Sequence, residues 1–355
     1  MKALRIIFIS VIIAACLVPS VFMIAGYKNP NRENRVLAKL PSFIEKGSIN
    51  TDFFAKLDKY TNDHFAFRDV LVNAFNTMDV AVLNDFNGTN AVIGKEGHIF
   101  YGETVDDYLG IDLLSQEEID AIADYLADLQ KELSEKGIRF AFMVAPNKAT
   151  VYPEYMPDYL KPNGAERNIA ALYKALEKRG VVYVDAAEVL INAKARRSVY
   201  YQHDSHWNNF GAMLVYNRIA SIFGLETFDE EDYTTVFDRT GDLHNFVYPV
   251  TEYKEERIIY PDFNEWSTKK PIDFDRDKTI ATTSSVNGLT MVVYHDSFGR
   301  SLQPILSQSV GKLFMSSYFP YKTDYIYKNS PDIVLIELVE RNLDKLAEYA
   351  VSMGY

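Results

Sequence analysis

The sequence holds one cysteine, Cys16, in 355 residues, and it has no long run of lysine and arginine. A lone thiol cannot close an intrachain disulfide, and beyond residue 16 no cysteine-based metal or thiol chemistry is open to the chain. A net charge of -12 excludes a broad phosphate-neutralising surface, so nucleic acid is not an expected partner. No internal repeat is present, and no zinc spacing occurs such as two histidines four apart on a helix with a glutamate between them. What the chain does have is aromatic and apolar mass. With 24 Tyr, 22 Phe and 48% hydrophobic residues, it can bury a large core and still present rings that stack on flat ligands, sugars among them.

The apolar mass is concentrated first at the amino terminus. Lys2 and Arg5 precede an uncharged apolar run from Ile6 to Ala25, about the length that crosses a bilayer as a helix and longer than most signal-peptide cores. We expect residues 1–27 to be an anchor helix, single-pass in the cell membrane, with the body exported. A cleaved signal sequence is one alternative, and a lipoprotein acylated at Cys16 is another. Cys16 is followed by LVPSVFMIA, where a lipoprotein would turn polar. Lys28, Arg32 and Arg35 follow the run, which weakens the charge bias that orients such a helix.

Residues 28–90 read as a polar, proline-containing tether followed by a segment of helical apolar spacing. From 91 to 355 the texture is that of one catalytic domain, in which short apolar runs alternate with helices. Ser115 and Glu118 form a capping box ahead of a face made by Ile119, Ile122, Ala123, Leu126 and Leu133, and Gly137 ends that helix. The runs IRFAFMVAP, VVYVDA, SVYYQHD, LTMVVYHDSFGR and DIVLIELVE read as strands. Strands without alternation, separated by helices, predict an α/β domain with a mostly parallel sheet and helices on both faces. The stretch at about 228–285 is acidic and aromatic and is expected to be an insertion over the sheet. Ligands of open α/β sheets bind beyond the carboxyl ends of the strands. Three polar clusters fall there: APNK from Ala145, HDSHW from His203 and HDSFGR from His295.

Ser297 comes directly after an apolar strand and before a helix. That position exposes its hydroxyl, and its own N–H and the first helical amides offer an oxyanion hole. An alcohol needs a base, and Asp204 and His206, two apart in a strand-to-helix turn, supply one. The carboxylate would orient the imidazole while His206 takes the serine proton. Two other readings use the same residues. Asp204 and Ser297 could simply cap helices, or His203, Asp204, His206, His295 and Asp296 could meet as nitrogen and oxygen ligands of a metal. The expectation is a triad with neither metal nor cofactor. Asn147 and the backbone at Phe298 are candidates for the second oxyanion donor. Lys148 and Arg300 are candidates for binding an acidic sugar, and Trp207 for stacking on one.

The pairing of HDSHWNNFGA with HDSFGR resembles the exported SGNH-hydrolase-like O-acetyltransferases of the alginate AlgX and AlgJ type, and the related bacterial DHHW proteins. Further blocks spread the likeness over most of the chain: ENRVLAKLP at Glu33, NDHFAFRD at Asn62, VIGKEGHIFYG at Val92, APNKATVYPE at Ala145, TGDLHN at Thr240 and PDIVLIELVERNL at Pro331. The resemblance implies a three-layer SGNH fold and a cell-surface enzyme whose extracellular or periplasmic domain acetylates a polysaccharide through an acyl-serine. It also implies a membrane-bound O-acyltransferase as acyl supplier. Carried over by motif, Ser297 is nucleophile, His206 base and Asp204 its orienter. The chain departs from the pattern at Ser205, where the DHHW motif has a second histidine, and at His295, where many SGNH enzymes have glycine. With water as acceptor the same triad would make a carbohydrate esterase, and a glycan-binding surface protein without catalysis is the third reading.

Overall fold

In a computed structural model the described residues are 9–10, 13, 17–29, 37–45, 47–72, 87–88, 91–260, 263 and 265–355. The chain divides into two compact units, one of residues 1–88 with 244–253, the other of 89–243 with 254–355.

In the first unit residues 17–24 are helical. The rest of the expected anchor lies largely outside the described residues, and among those described no helix is long and apolar enough to cross a membrane. Helix α1, Phe53–His64, holds the chain that precedes it near its carboxyl end. Asp63 accepts the Ala38 N–H at 2.7 Å, and His64 Nε2 lies 2.9 Å from the Ala38 carbonyl.

The second unit opens with an antiparallel pair, β1 (Ala91–Ile93) and β2 (Ile99–Tyr101). Its body is a sheet built from β3 (Arg139–Ala145), β4 (Tyr183–Asp185), β7 (Trp266–Ser267), β8 (Thr279–Ser284), β9 (Thr290–Tyr294), β10 (Lys312–Ser316) and β11 (Ile333–Val339). The spatial order is β7-β8-β10-β9-β11-β3-β4. Between β4 and β7 in the chain, β5 (Thr234–Arg239) and β6 (Glu255–Ile259) pair as a separate antiparallel ribbon.

The apolar strands are buried because helices cover both faces. Met291 and Val293 of β9 belong to a core shared with α4 (Ala186–Ala193), α5 (Asn209–Phe223) and α6 (Gln303–Ser309). Val292 and Tyr294 face the opposite core, built on α2 (Gln116–Glu135), α3 (Asn168–Arg179) and α8 (Leu343–Ser352), with Ile326 of α7 (Thr323–Asn329). Helix α2 starts at the expected capping box, with Ser115 and Glu118 each accepting the other's backbone N–H.

The structure corrects three sequence expectations. The sheet is mixed: β10-β9-β11-β3-β4 run parallel, but β8 runs antiparallel to β10, and β7 to β8. Only residues 285–289 join β8 to β9, whereas a return to the far end of a sheet takes a dozen residues or more, so the two strands run in opposite directions. The acidic stretch therefore does not lie wholly over the sheet, because β7 and β8 come from it. Third, SVYYQHD forms no strand beyond a single bridge between Tyr200 and Trp207. Several of its backbone groups are taken by side chains instead. Lys148 Nζ donates to the carbonyls of Gln202 at 2.7 Å and Asp204 at 3.3 Å, and Glu255 accepts the amides of Gln202 at 2.5 Å and His203 at 3.2 Å.

Candidate active site

The carboxyl ends of β9, β11 and β3 lie side by side, so the polar turns after Tyr294, Val339 and Ala145 gather at one edge of the sheet. Ser297 stands in the first of these turns, just before a short helical turn at Phe298–Arg300. Asp296 shapes that turn, its Oδ1 accepting the Phe298 N–H at 2.9 Å and its Oδ2 the Val339 N–H at 2.5 Å. Beneath it, Glu337 Oε2 accepts the Asp296 N–H at 3.0 Å, while Glu337 Oε1 is buried with no hydrogen-bond partner among the described residues. Burial pushes the Glu337 carboxyl well above its ordinary value, and the Asp296 charge adds to that. That shift favours the protonated carboxyl, which eases the repulsion between two carboxyl groups set this close.

Across the edge, His206 Nε2 lies 2.8 Å from Ser297 Oγ and His206 Nδ1 lies 2.7 Å from Asp204 Oδ1. Asp204 also accepts the His206 backbone N–H at 3.0 Å and, on Oδ2, the Arg239 guanidinium through Nε at 3.1 Å and through Nη2. Its carboxyl is fully buried. Burial alone raises it, but the hydrogen bond and charge of His206 with the Arg239 charge override that, holding it well below the usual carboxylate range. Such an Asp204 stays ionised and fixes the Nδ1–H tautomer, which leaves the Nε2 lone pair for the serine proton. The Phe298 ring packs 4.7 Å from the imidazole, centre to centre, and keeps the ring from turning.

Of the residues named from sequence, Ser297, His206 and Asp204 come together, and the others do not join them. Phe298's amide is committed to Asp296, and Asn147, 1% exposed, gives one hydrogen of its side-chain amide to Asp107 at 3.1 Å. Ser297's own N–H carries no hydrogen bond among the described residues. Lys148 is buried and spends its ammonium on backbone carbonyls. Burial brings its pKa down to about 7, and the carbonyls of Ile99, Gln202 and Asp204 take its N–H groups. Trp207 is 1% exposed, gives its indole N–H to Ser301 at 2.6 Å and meets Phe298 edge to face, so no stacking face remains. Arg300 reaches outward to Asp275 at 3.1 Å.

Among the described residues, the side chains that could share an ion are Asp204, His206 and Asp242, with ligand atoms within 4.8 Å of one another. Asp242 is bound by the Ser205 N–H and hydroxyl, each at 2.7 Å. His203, His295 and Asp296 lie outside that group.

Sequence reading missed four participants. Arg239 and Asp242 arrive from the β5–β6 region, whose spacing from HDSHW carries no signal. Glu337 looked like one polar slip in an apolar strand, although a carboxyl in such a run is itself a flag. Arg341, just past β11, lies over both the Tyr101 ring at 5.3 Å and the Phe298 ring at 5.7 Å. It forms no ion pair among the described residues, so an unpaired cation stands over the Phe298 ring that packs on His206.

Residues 91–275 match the family described as SGNH hydrolase-like domain, acetyltransferase AlgX. A probable alginate O-acetylase AlgJ of Pseudomonas putida is 24% identical over 320 residues, 81% of this chain and 80% of that protein. Its counterpart in Pseudomonas syringae is 21% identical over 96% of this chain and 89% of its own. Among solved structures, a DHHW family protein from Eubacterium siraeum aligns with a TM-score of 0.55 at 15% identity, covering 76% of this chain and 97% of that one. PatB1 of Bacillus cereus aligns with a TM-score of 0.53 at 18% identity, covering 72% and 97%. At such identities the likeness concerns the fold, an SGNH-like α/β fold.

Proposed function

The chain belongs to the family of SGNH hydrolase-like domains named for the acetyltransferase AlgX, and from that premise we propose that it acetylates polysaccharide hydroxyls through an acyl-serine at Ser297. The observation that carries this reading is the hydrogen-bonded line Ser297–His206–Asp204 with Arg239 behind it. Ser297 Oγ attacks the acetyl carbonyl carbon of the donor while its proton passes to His206 Nε2. The oxyanion forms against the free Ser297 N–H. As the tetrahedral adduct collapses, His206 returns the proton to the leaving group. A sugar hydroxyl then attacks the acetyl-serine carbonyl as His206 Nε2 takes its proton; the adduct collapses with cleavage of the Ser297 Oγ–acyl bond, His206 returns that proton to Ser297 Oγ, and the sugar leaves as its acetyl ester. Asp204 stabilises the imidazolium in both halves.

That relatives carry the name alginate O-acetylase supports a polysaccharide acceptor. In the same reading residues 1–27 anchor the protein and the second unit works outside the cytoplasm, supported by the uncharged run from Ile6 to Ala25. The acetyl group is delivered there by a membrane-bound O-acyltransferase.

The test is acylation with an activated acetyl ester. Intact mass should rise by one acetyl group located on Ser297, Ser297→Ala should abolish the label, and His206→Ala should remove most of the rate. Host surface oligosaccharides should then divert acetyl from water to sugar. An acyl-serine that forms but is never diverted by any such glycan would replace this reading with a carbohydrate esterase. No acyl-serine with any donor would leave a glycan-binding protein.

A further inference from the structure

The helix layer over one face of the sheet is incomplete. On that face α2, α3 and α8 cover β4, β3 and β11, and α7 covers β9, but β10 and β8 extend beyond them. Along β8 burial alternates, with Ile280 and Thr282 turned into the core and Thr279, Ala281 and Thr283 exposed. On β10, Lys312 is exposed and Phe314 partly so, opposite Thr283 and Ala281 respectively. Small and hydroxyl-bearing side chains thus form a flat floor about 14 Å long at about 3.4 Å per residue. The segment after β7 walls it on one side, and Tyr325 and Lys328 of α7 on the other. The result is a groove of about 780 Å³.

Its charge is unlike that of the chain. In a protein of net charge -12, the groove is lined by Lys269, Lys270, Lys312 and Lys328, with Asp277 the only acidic side chain in its lining. Asp277 is already paired with Lys270. Among the described residues Lys269, Lys312 and Lys328 form no ion pair. Three unpaired ammonium groups above hydroxyls and an aromatic wall recognise repeated negative charge on a chain that also offers rings and hydroxyls. Lysine acts there as a point charge, without arginine's bidentate fork.

We propose that this groove is an accessory binding site for an acidic polysaccharide bearing carboxylates, separate from the Ser297 site. The groove runs along β8 from the far end of the sheet, at Thr283 and Lys312, to the end where Ser297 stands. Thr279, at the top of the floor, pairs with Ser316, whose carbonyl accepts the His295 N–H at 3.0 Å, two residues before Ser297. Strands β8 and β9 are two steps apart, about 10 Å at the usual strand spacing, so a polymer held in the groove is kept near the acylated serine. The assignment takes its polymer from the polysaccharide reading above, but its occupancy can be measured without catalysis.

The experiment titrates the full chain with fluorescently labelled short oligogalacturonate. Binding is expected, weakening as salt rises. Joint replacement Lys269→Gln, Lys312→Gln and Lys328→Gln should raise Kd about tenfold, since each screened pair contributes a factor of a few. Ala281→Trp should block the floor with the charge unchanged. All four positions are exposed, and Ser297 acetylation by a small activated ester should be unaffected in these variants. Ser297→Ala should leave affinity unchanged. Undetectable binding at low salt, or an affinity indifferent to the lysine replacements, would overturn the proposal. So would equal, equally lysine-dependent binding of an oligothymidylate, which would make the groove a site for nucleic acid or any polyanion. Binding that persists while Ser297 accepts no acyl group would support the groove and defeat the enzyme reading.

Discussion

Asp204 is the residue on which the site turns, because one buried carboxylate must orient an imidazole and accept a guanidinium at once. Asp204→Asn keeps its volume but cannot serve both. Steady-state kinetics should find kcat reduced by roughly 10³–10⁴-fold, with the far-ultraviolet circular dichroism of the wild type. Arg239→Ala should cost less, about tenfold to a hundredfold in kcat, because Asp204 keeps its bonds to His206 and loses only its outer clamp. Arg341 differs from both. It lies over Phe298 and Tyr101 and is bonded to none of the relay, so Arg341→Ala should raise KM for an acidic oligosaccharide acceptor and leave acylation by a small ester unchanged. A fall in acylation by the small ester would instead give Arg341 a part in the chemistry.

Between elements, the turns that carry these residues are tied together by buried polar groups. Glu340, at the end of β11, accepts the Asn147 N–H at 2.7 Å and the Thr150 hydroxyl at 2.6 Å and pairs with Arg167 at 2.9 Å. Burial pushes its carboxyl up to about 7, against the pull of Arg167. A folded-state pKa above the ordinary 4.5 means that this group's stabilisation is complete below about pH 4.5 and is lost as pH rises through about 7. Urea unfolding should therefore find the wild type losing stability relative to Glu340→Gln across that window, by about 3 kcal/mol in all. A constant difference between the two would contradict the assignment. Gly241 is the second tie. A Cβ there would meet the His203 carbonyl oxygen at 1.9 Å and the Asp204 nitrogen at 2.8 Å. Gly241→Ala should push the Asp204 segment out of line, lowering kcat while costing about 1–3 kcal/mol of stability.

For the molecule as a whole, the uncharged amino-terminal run and the acidic body predict different partners. The run from Ile6 to Ala25 should keep the full chain with membranes through a high-salt wash and release it only to detergent. A chain freed by salt alone, or one whose mature amino terminus falls beyond residue 25, would mean that the segment is not a retained anchor. The body carries all of the negative charge, the amino-terminal run being flanked by Lys2 and Arg5, and should repel polyanions except where lysines gather, which makes salt dependence the measurement that separates local from general attraction.

Local rules were enough to read much of this from the sequence. Apolar runs such as 139–145 and 333–339 have no alternation because helices bury both their faces, so an α/β sheet followed from pattern alone. The capping box at Ser115 is a four-residue signal. Asp204 and His206 sit two apart in one turn, and Ser297 follows an apolar strand directly, so their residue types and spacing drew attention to them before any contact was known. What the tertiary structure decided depends on distance in space without regularity in sequence. Trp207 and Lys148 look like ligand contacts beside a polar cluster, but one fills the core and the other binds three backbone carbonyls, since burial is a property of what packs around a residue. Arg239, Asp242 and Glu337 reach the site from segments whose separation is free to vary. The direction of β8 and the open groove beside it follow from a short connection and from where the helix layer stops, and neither leaves a mark in the composition of the strands themselves.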